Sequence, residues 1–316
     1  MPPALSVVVP ARDAAATIEA TLEGLAAQEV PGGIEIIVVD NGSLDDTPER
    51  VEAAGVRLLR RERGAGPGAA RNDGVMAAGA PNIAFTDADC IPTPGWAAAG
   101  LAALADADLV QGKVLPDPSA TRQRFDRTLE VVRERGFYET ANLFVRRSTF
   151  EDVGGFRDFL LEDDPAARPL GEDVLFAWTA RRHGARTAFS EQALVHHAVF
   201  PGDLRTFVAE KGRLVDFPAL IREIPELREH VAYRRYFLNA RSAAFDAAVA
   251  GVVTAAVTRR RSPLLLAVPW CSQTARKGRR AGWPRGLVVV AIDALGDAAS
   301  CLALVRGSLR HRTPLG

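Results

Sequence analysis

The chain has 316 residues, 47% hydrophobic and 25% charged, with 39 basic and 39 acidic side chains. This is ordinary globular usage, long enough for one large domain or two small ones. The three cysteines, Cys90, Cys271 and Cys301, are scattered and form no Cys-x-x-Cys, which excludes a disulfide framework or a zinc knuckle and fits a reducing cytosol.

The zero net charge hides an asymmetry. Residues 1–200 carry 20 Lys and Arg against 30 Asp and Glu, whereas residues 201–316 carry 19 against 9. After Gly251, 11 basic residues face only Asp293 and Asp297. An acidic half joined to a basic, apolar half points to an anionic partner or membrane surface for the second half. Nothing points to nucleic acid.

Leu5 to Val9 is a short apolar run, as expected of a parallel strand buried on both faces. It begins directly after Met1-Pro2-Pro3-Ala4, so no signal peptide is expected. Pro10-Ala11-Arg12-Asp13 ends it, and Ile18, Leu22 and Leu25 then recur at helical spacing. Ile34–Val39 reads as a second buried strand, closed by Asp40-Asn41-Gly42-Ser43. Asp45 or Asp46 caps the next helix, with Pro48 in its first turn. Val56–Leu59 is a third strand, and a glycine-rich loop at 64–68 leads into a helix around Ala69–Asn72. Strands alternating with helices through short loops imply a doubly wound, mostly parallel sheet.

The fourth strand, Asn82 to Asp87, ends in Asp87-Ala88-Asp89. Side chains at i and i+2 of an extended segment share a face, so both carboxylates are expected at one spot beyond the strand's carboxyl end. Clustered oxygens there suit Mg²⁺ or Mn²⁺, on the edge where open α/β sheets bind ligands. Asp40 closes the second strand on the same edge, where it can accept the imide N–H of a base. Further strands are expected near Leu109–Gln111 and Asn142–Val145, with a charged amphipathic helix over Phe125–Arg135 between them. The acidic, proline-bearing stretch 160–169 reads as a mobile loop. Gly171-Glu172-Asp173 opens a helix, and Asp173 at that helix start sits where the dipole favours its ionised form. Val195-His196-His197 ends a later short strand. Beyond Asp203 the pattern is helical, and no run reaches the roughly 18 uncharged apolar residues of a spanning segment.

Gly64-x-Gly66-x-x-Ala69 has the form of a dinucleotide fingerprint but follows the third strand rather than the first. The set as a whole is more specific. Val-Val-Val-Pro-Ala-Arg-Asp, Asp40-Asn-Gly-Ser43, Gly68-x-x-Arg71-Asn72, Asp87-Ala-Asp89 and Glu172-Asp173 together resemble a family 2 glycosyltransferase of GT-A fold over residues 4–200. The resemblance implies an inverting transfer from a nucleotide-diphosphate sugar to a hydroxyl acceptor, whether glycan, lipid carrier or small molecule, with Mg²⁺ or Mn²⁺. Pro10, Ala11 and Arg12 match the nucleoside-contacting turn, Asp40 the base contact with Ser43 beside it, and Arg71 the basic residue near the donor. Asp87 and Asp89 match the metal motif, Asp173 after Glu172 the catalytic base, and His197 a third metal ligand or diphosphate contact. The first turn departs from the family's usual Pro-x-Tyr-Asn, which leaves the base open. The expected organisation is a catalytic domain over 1–200 and a helical, basic extension over 201–316, cytoplasmic and peripheral on the inner face of the cell membrane. Competing classes are a catalytically dead sugar-binding scaffold, a nucleotidyltransferase, or an NAD-binding oxidoreductase on a similar sheet.

Overall fold

Strand β1 (Leu5–Ala11) shows why the first half folds as it does. Val7 and Val9 pack with Ile18, Leu22 and Leu25 of α1 (Ile18–Ala26) and with Trp96 of α4 (Trp96–Leu104). Val8 faces the other way, onto Ala70 and Val75 of α3 (Pro67–Ala77), and onto Phe150 and Phe176. A run that is apolar on both faces can be satisfied only between two helical layers. The computed structural model describes residues 2–62, 66–160 and 170–316, and the chain divides into two compact units, Met1–Pro201 and Gly202–Gly316.

The first unit is built on a sheet in the order β3-β2-β1-β4-β7-β6-β8-β5. Its strands are β2 (Ile34–Asp40), β3 (Arg57–Arg60), β4 (Asn82–Thr86), β5 (Cys90–Pro92), β6 (Leu109–Pro116), β7 (Asn142–Arg146) and β8 (Thr187–His197). Pairs β1/β2, β2/β3, β1/β4 and β6/β8 are parallel, while β7 runs antiparallel between β4 and β6, and β5 runs antiparallel beside β8. The sheet is therefore mixed. Helices α2 (Thr47–Ala53), α5 (Arg147–Asp152) and α6 (Glu172–Arg182) complete the flanking layers.

Three expectations change. Residues 125–135 form no helix: Val131 exchanges backbone hydrogen bonds with Val114 of β6 at 2.8 and 2.9 Å, and Arg127 with Phe200 at 2.8 and 2.9 Å. Edge pairing satisfies the backbone there and overrides the amphipathic pattern. The last strand is 11 residues rather than short. β4 stops at Thr86, so Asp87 and Asp89 stand in the turn before β5, a three-residue strand too brief to show a period. Gly64 of the glycine-rich loop, and the 161–169 stretch, lie outside the described residues.

The second unit is helical: α7 (Leu204–Gly212), α8 (Phe217–Glu223), α9 (Leu227–His230), α10 (Ala240–Thr258), α11 (Val268–Ala281) and α12 (Arg285–His311). Although each carries charges within it, α10 and α12 are long and apolar enough to cross a membrane by length and composition, with mean hydropathy 1.3 and 2.0 over their best windows. Charges on the two helices pair with one another. Arg241 of α10 donates to both carboxylate oxygens of Asp297 of α12, at 3.0 and 2.6 Å.

Candidate active site

Three turns at the carboxyl ends of β1, β2 and β4 meet at one cleft. The first two are tied together by short polar side chains. Ser43 Oγ accepts from Asp13 N at 3.0 Å, and Asp13 Oδ1 accepts from Leu44 N at 2.8 Å. Thr47 Oγ1 accepts from Ala14 N, and Asp45 Oδ2 from Ala15 N. Asp13 takes a left-handed backbone (φ 50), a conformation Asp tolerates better than most residues. Asp45 thus braces the neighbouring turn, and Asp46 occupies the N-cap without a side-chain bond. Buried Asp40 accepts from Ser43 N at 3.0 Å, so Asp40 and Ser43 set the shape of the second turn.

The cleft has a volume of about 410 Å³ and is lined by Pro10, Ala11, Arg12, Asn41, Arg71, Asp87, Asp89 and Phe200, among others. Of the expected donor-side residues, Asp40 and Ser43 stand behind it rather than in its wall. Asn41 and Phe200 were not anticipated. Phe200 comes from beyond β8 and is held by its backbone pairing with Arg127.

Arg71 is the hinge of the acidic groups. Its side chain is only 5% exposed, and it donates to Asp87 Oδ1 at 2.8 Å and to Glu172 Oε1 at 3.2 Å. It thereby ties the turn after β4 to the first turn of α6. Gly68 permits this approach of α3 to α6: a Cβ there would lie 3.0 Å from Glu172 Cγ and 3.1 Å from Phe156 Cβ.

Asp173 keeps a partly exposed edge. Burial of its carboxyl, helped by the charge of Glu172, pushes its pKa up to about 8, and Arg71 only partly opposes this. The expectation that the helix start would favour the ionised form is overturned: desolvation outweighs the dipole. A carboxylate poised near neutral pH is a competent proton acceptor.

His197 comes beside Asp89 because β5 pairs antiparallel with β8, placing Cys90 opposite His197. His197 Nε2 lies 3.7 Å from Asp89 Oδ2. Its Nδ1 is 2.7 Å from the Ala198 carbonyl, which can only accept, so Nδ1 donates there and Nε2 is the ring nitrogen that faces Asp89. Ligand atoms of Asp89, Cys90 and His197 all lie within 4.8 Å of one another. Burial and the charge of Asp87 raise the Asp89 pKa, and burial pushes the Cys90 thiol well up. Cys90 is therefore a neutral neighbour of Asp89, at 3.9 Å from Oδ1. An imidazole nitrogen and a carboxylate beside a second carboxylate fit a small divalent cation such as Mn²⁺ or Mg²⁺ better than a soft metal.

Residues 6–162 match the family model described as glycosyl transferase family 2. The chain is 30% identical over 231 residues to "Glycosyltransferase AglE" of Haloferax volcanii, covering 67% of this chain and 73% of that relative. It is 28% identical over 230 residues to a "Pre-mycofactocin glycosyltransferase" of Mycobacterium tuberculosis, covering 66% of this chain but only 45% of that protein. Its fold matches a solved mannosyltransferase, PcManGT of Pyrobaculum calidifontis in complex with GDP-Man and Mn²⁺, at TM-score 0.64 and 20% identity, over 96% of this chain and 88% of that one.

Proposed function

We propose that this chain, which belongs to glycosyl transferase family 2, moves a sugar with inversion from a nucleoside-diphosphate sugar to a hydroxyl of a glycan, lipid carrier or small molecule. The observation that carries this reading is the Asp87–Arg71–Glu172 bridge, which joins the acidic turn of the cleft to the helix start bearing Asp173.

The donor's nucleoside would lie along Pro10, Ala11, Arg12 and Asn41, with buried Asp40 and Ser43 holding the turn that carries Asn41. Arg71, held between Asp87 and Glu172, keeps the sugar end of the cleft in register with Asp173. Asp173 takes the proton from the acceptor hydroxyl as that oxygen attacks the anomeric carbon. The bond from that carbon to the diphosphate oxygen breaks as the new one forms, and a single displacement inverts the centre. Asp89 and His197, with Asp87 beside them, would hold the Mn²⁺ or Mg²⁺ that supplies Lewis-acid stabilisation of the leaving diphosphate, worth several kcal/mol.

The test is thermal shift of the full chain with UDP, GDP, dTDP and CDP, each with and without Mn²⁺. One nucleotide is expected to stabilise only with metal, by ~2.7 kcal/mol at a hundredfold excess over Kd. Asp89→Asn should erase that shift. Because burial and Asp87 raise the Asp89 pKa, a proton competes with the cation, and the Mn²⁺-dependent shift should weaken as pH falls. A nucleotide shift of equal size without metal, or in Asp89→Asn, would remove the metal assignment.

For the second unit we infer a peripheral seat on the inner face of the cell membrane. Leu264, Leu265, Leu266, Val268, Trp283 and Leu287 are exposed, Leu265 by 71% and Trp283 by 81%. Arg259-Arg260-Arg261 and Arg276-Lys277-Gly278-Arg279-Arg280 interleave with them, a pattern suited to apolar insertion with basic groups on anionic headgroups. The full chain should co-sediment with phosphatidylglycerol-containing vesicles and not with pure phosphatidylcholine. High salt, or Arg→Glu at positions 259–261, should release it. Membrane retention that resists carbonate and yields only to detergent would favour spanning by α10 and α12 instead.

A further inference from the structure

Helices α11 and α12 close on each other at glycines. A Cβ on Gly286 would overlap the Gly278 carbonyl, and one on Gly278 would lie 2.9 Å from Val290 Cγ2. With no side chain at the crossing, the larger side chains on either side of it wall an open groove. The groove has a volume of about 570 Å³ and is lined by Trp270, Trp283, Leu287 and Val290, among others.

The polar atoms of this wall are already bonded elsewhere. Trp270 Nε1 donates to Asp297 Oδ2 at 2.8 Å, and its ring meets Phe245 edge-on at 5.4 Å between centroids. The buried Thr274 hydroxyl accepts from Arg241 Nη2 at 3.3 Å. The wall therefore offers no hydrogen bond, and a ligand that carried donors or acceptors into it would lose those it makes to water. A hydrocarbon chain has none to lose. Size and apolar, aromatic lining are those of a ligand site.

The rim has the opposite character. Arg279 lines the groove, and Arg276 lies one helical turn before both Arg279 and Arg280, so the three share a face. Arg285 opens α12, whose first turn holds no acid. All four arginines are exposed, and among the described residues none forms an ion pair. A helix C-terminus favours the cations of its last turn, but the N-terminus of α12 disfavours Arg285. An anion relieves that repulsion.

We propose that this groove binds a single anionic glycerophospholipid, one hydrocarbon chain lying between Trp270 and Trp283 and the phosphate meeting Arg276 and Arg279. This goes beyond the peripheral seat of the second unit. That seat needs only side chains dipping into the headgroup layer, whereas the groove holds one lipid with or without a bilayer.

The probe is dihexanoylphosphatidylglycerol, kept below its micelle threshold and titrated against the full chain beside dihexanoylphosphatidylcholine and inorganic phosphate. Cys271 lines the groove and is exposed, whereas Cys90 is buried. Occupancy is read as slower alkylation of Cys271 by N-ethylmaleimide, resolved by peptide mass spectrometry. The phosphatidylglycerol is expected to slow it saturably, and the phosphatidylcholine to bind weaker by about tenfold or more, as two basic contacts imply. Inorganic phosphate should not slow it. Ala275→Phe, which fills the groove from α11, and Leu287→Asp, which sets a charge in its wall, should each weaken binding by about tenfold or more. Arg276→Gln with Arg279→Gln should lower phosphatidylglycerol to the level of phosphatidylcholine. Equal protection by the two lipids, protection by phosphate alone, or unchanged affinity in Ala275→Phe and Leu287→Asp would each overturn the proposal. The groove and the seat fail separately: vesicle binding by a chain that ignores monomeric lipid keeps the seat and removes the groove, and monomer binding without vesicle binding does the reverse.

Discussion

Asp173→Asn is expected to fold, to bind nucleotide with Mn²⁺, and to lose turnover by about 10²- to 10⁴-fold, the usual contribution of a positioned general base. Asparagine keeps the shape and the hydrogen bond to Val174 N, which Asp173 Oδ1 now accepts at 2.8 Å, but it cannot take a proton. Two pH effects follow from a carboxyl raised from 3.8 to about 8. The wild-type rate requires the ionised form, so kcat/KM of the free enzyme should climb with pH through about 8. Stability runs the other way. The native state holds a proton that the unfolded chain releases, so this contribution is complete below about 3.8 and is lost as pH rises to about 8. Asp173→Asn removes that loss, and the variant should melt above the wild type at pH 8 and level with it near pH 4. Scanning calorimetry at the two pH values checks the sign. An inactive variant that melts lower than wild type at pH 8 would mean that the substitution broke the site's packing rather than its proton transfer.

That contrast shows what could be read in advance. β1, β2, β4 and their closing aspartates were legible because buried parallel strands are apolar runs that end in polar turns. The two acidic ends of the site, Asp87-x-Asp89 and Glu172-Asp173, are local words in the sequence. What joins them is not local. Arg71 lies 16 residues from one and 101 from the other, and no period or spacing states that it touches both. His197 beside Asp89 depends on the three-residue β5 pairing, too short to leave a pattern. The Phe125–Arg135 helix failed for the same reason: its amphipathic period is real, but strand edges elsewhere in the chain compete for that backbone. The raised Asp173 pKa is not legible in the sequence, because a helix start is visible there and a desolvated environment is not.

Arg71→Met should then be the most destabilising change at the site. The guanidinium is nearly fully buried, lies 5.8 Å from the Phe156 ring, and serves two carboxylates, one of them buried Glu172. Methionine fills similar space but leaves Glu172 and Asp87 without their cation. Breaking one side of a buried ion pair costs about 3–5 kcal/mol. For a unit of about 200 residues that corresponds to a melting temperature lower by roughly 10 °C. Acid pH, where carboxylates protonate, should narrow the gap, and Arg71→Met combined with Glu172→Gln should recover part of it, the coupling energy appearing in the double-mutant cycle. Arg71→Lys should recover less, because an ammonium is a single point charge and cannot span both carboxylates as a planar fork does. Arg71 is also the cation that holds the Asp173 pKa down against burial and Glu172. Whatever activity survives in Arg71→Met should therefore rise at higher pH than in the wild type. A variant that is destabilised while its pH–rate profile stays in place would show that Arg71 braces the fold without reaching the base.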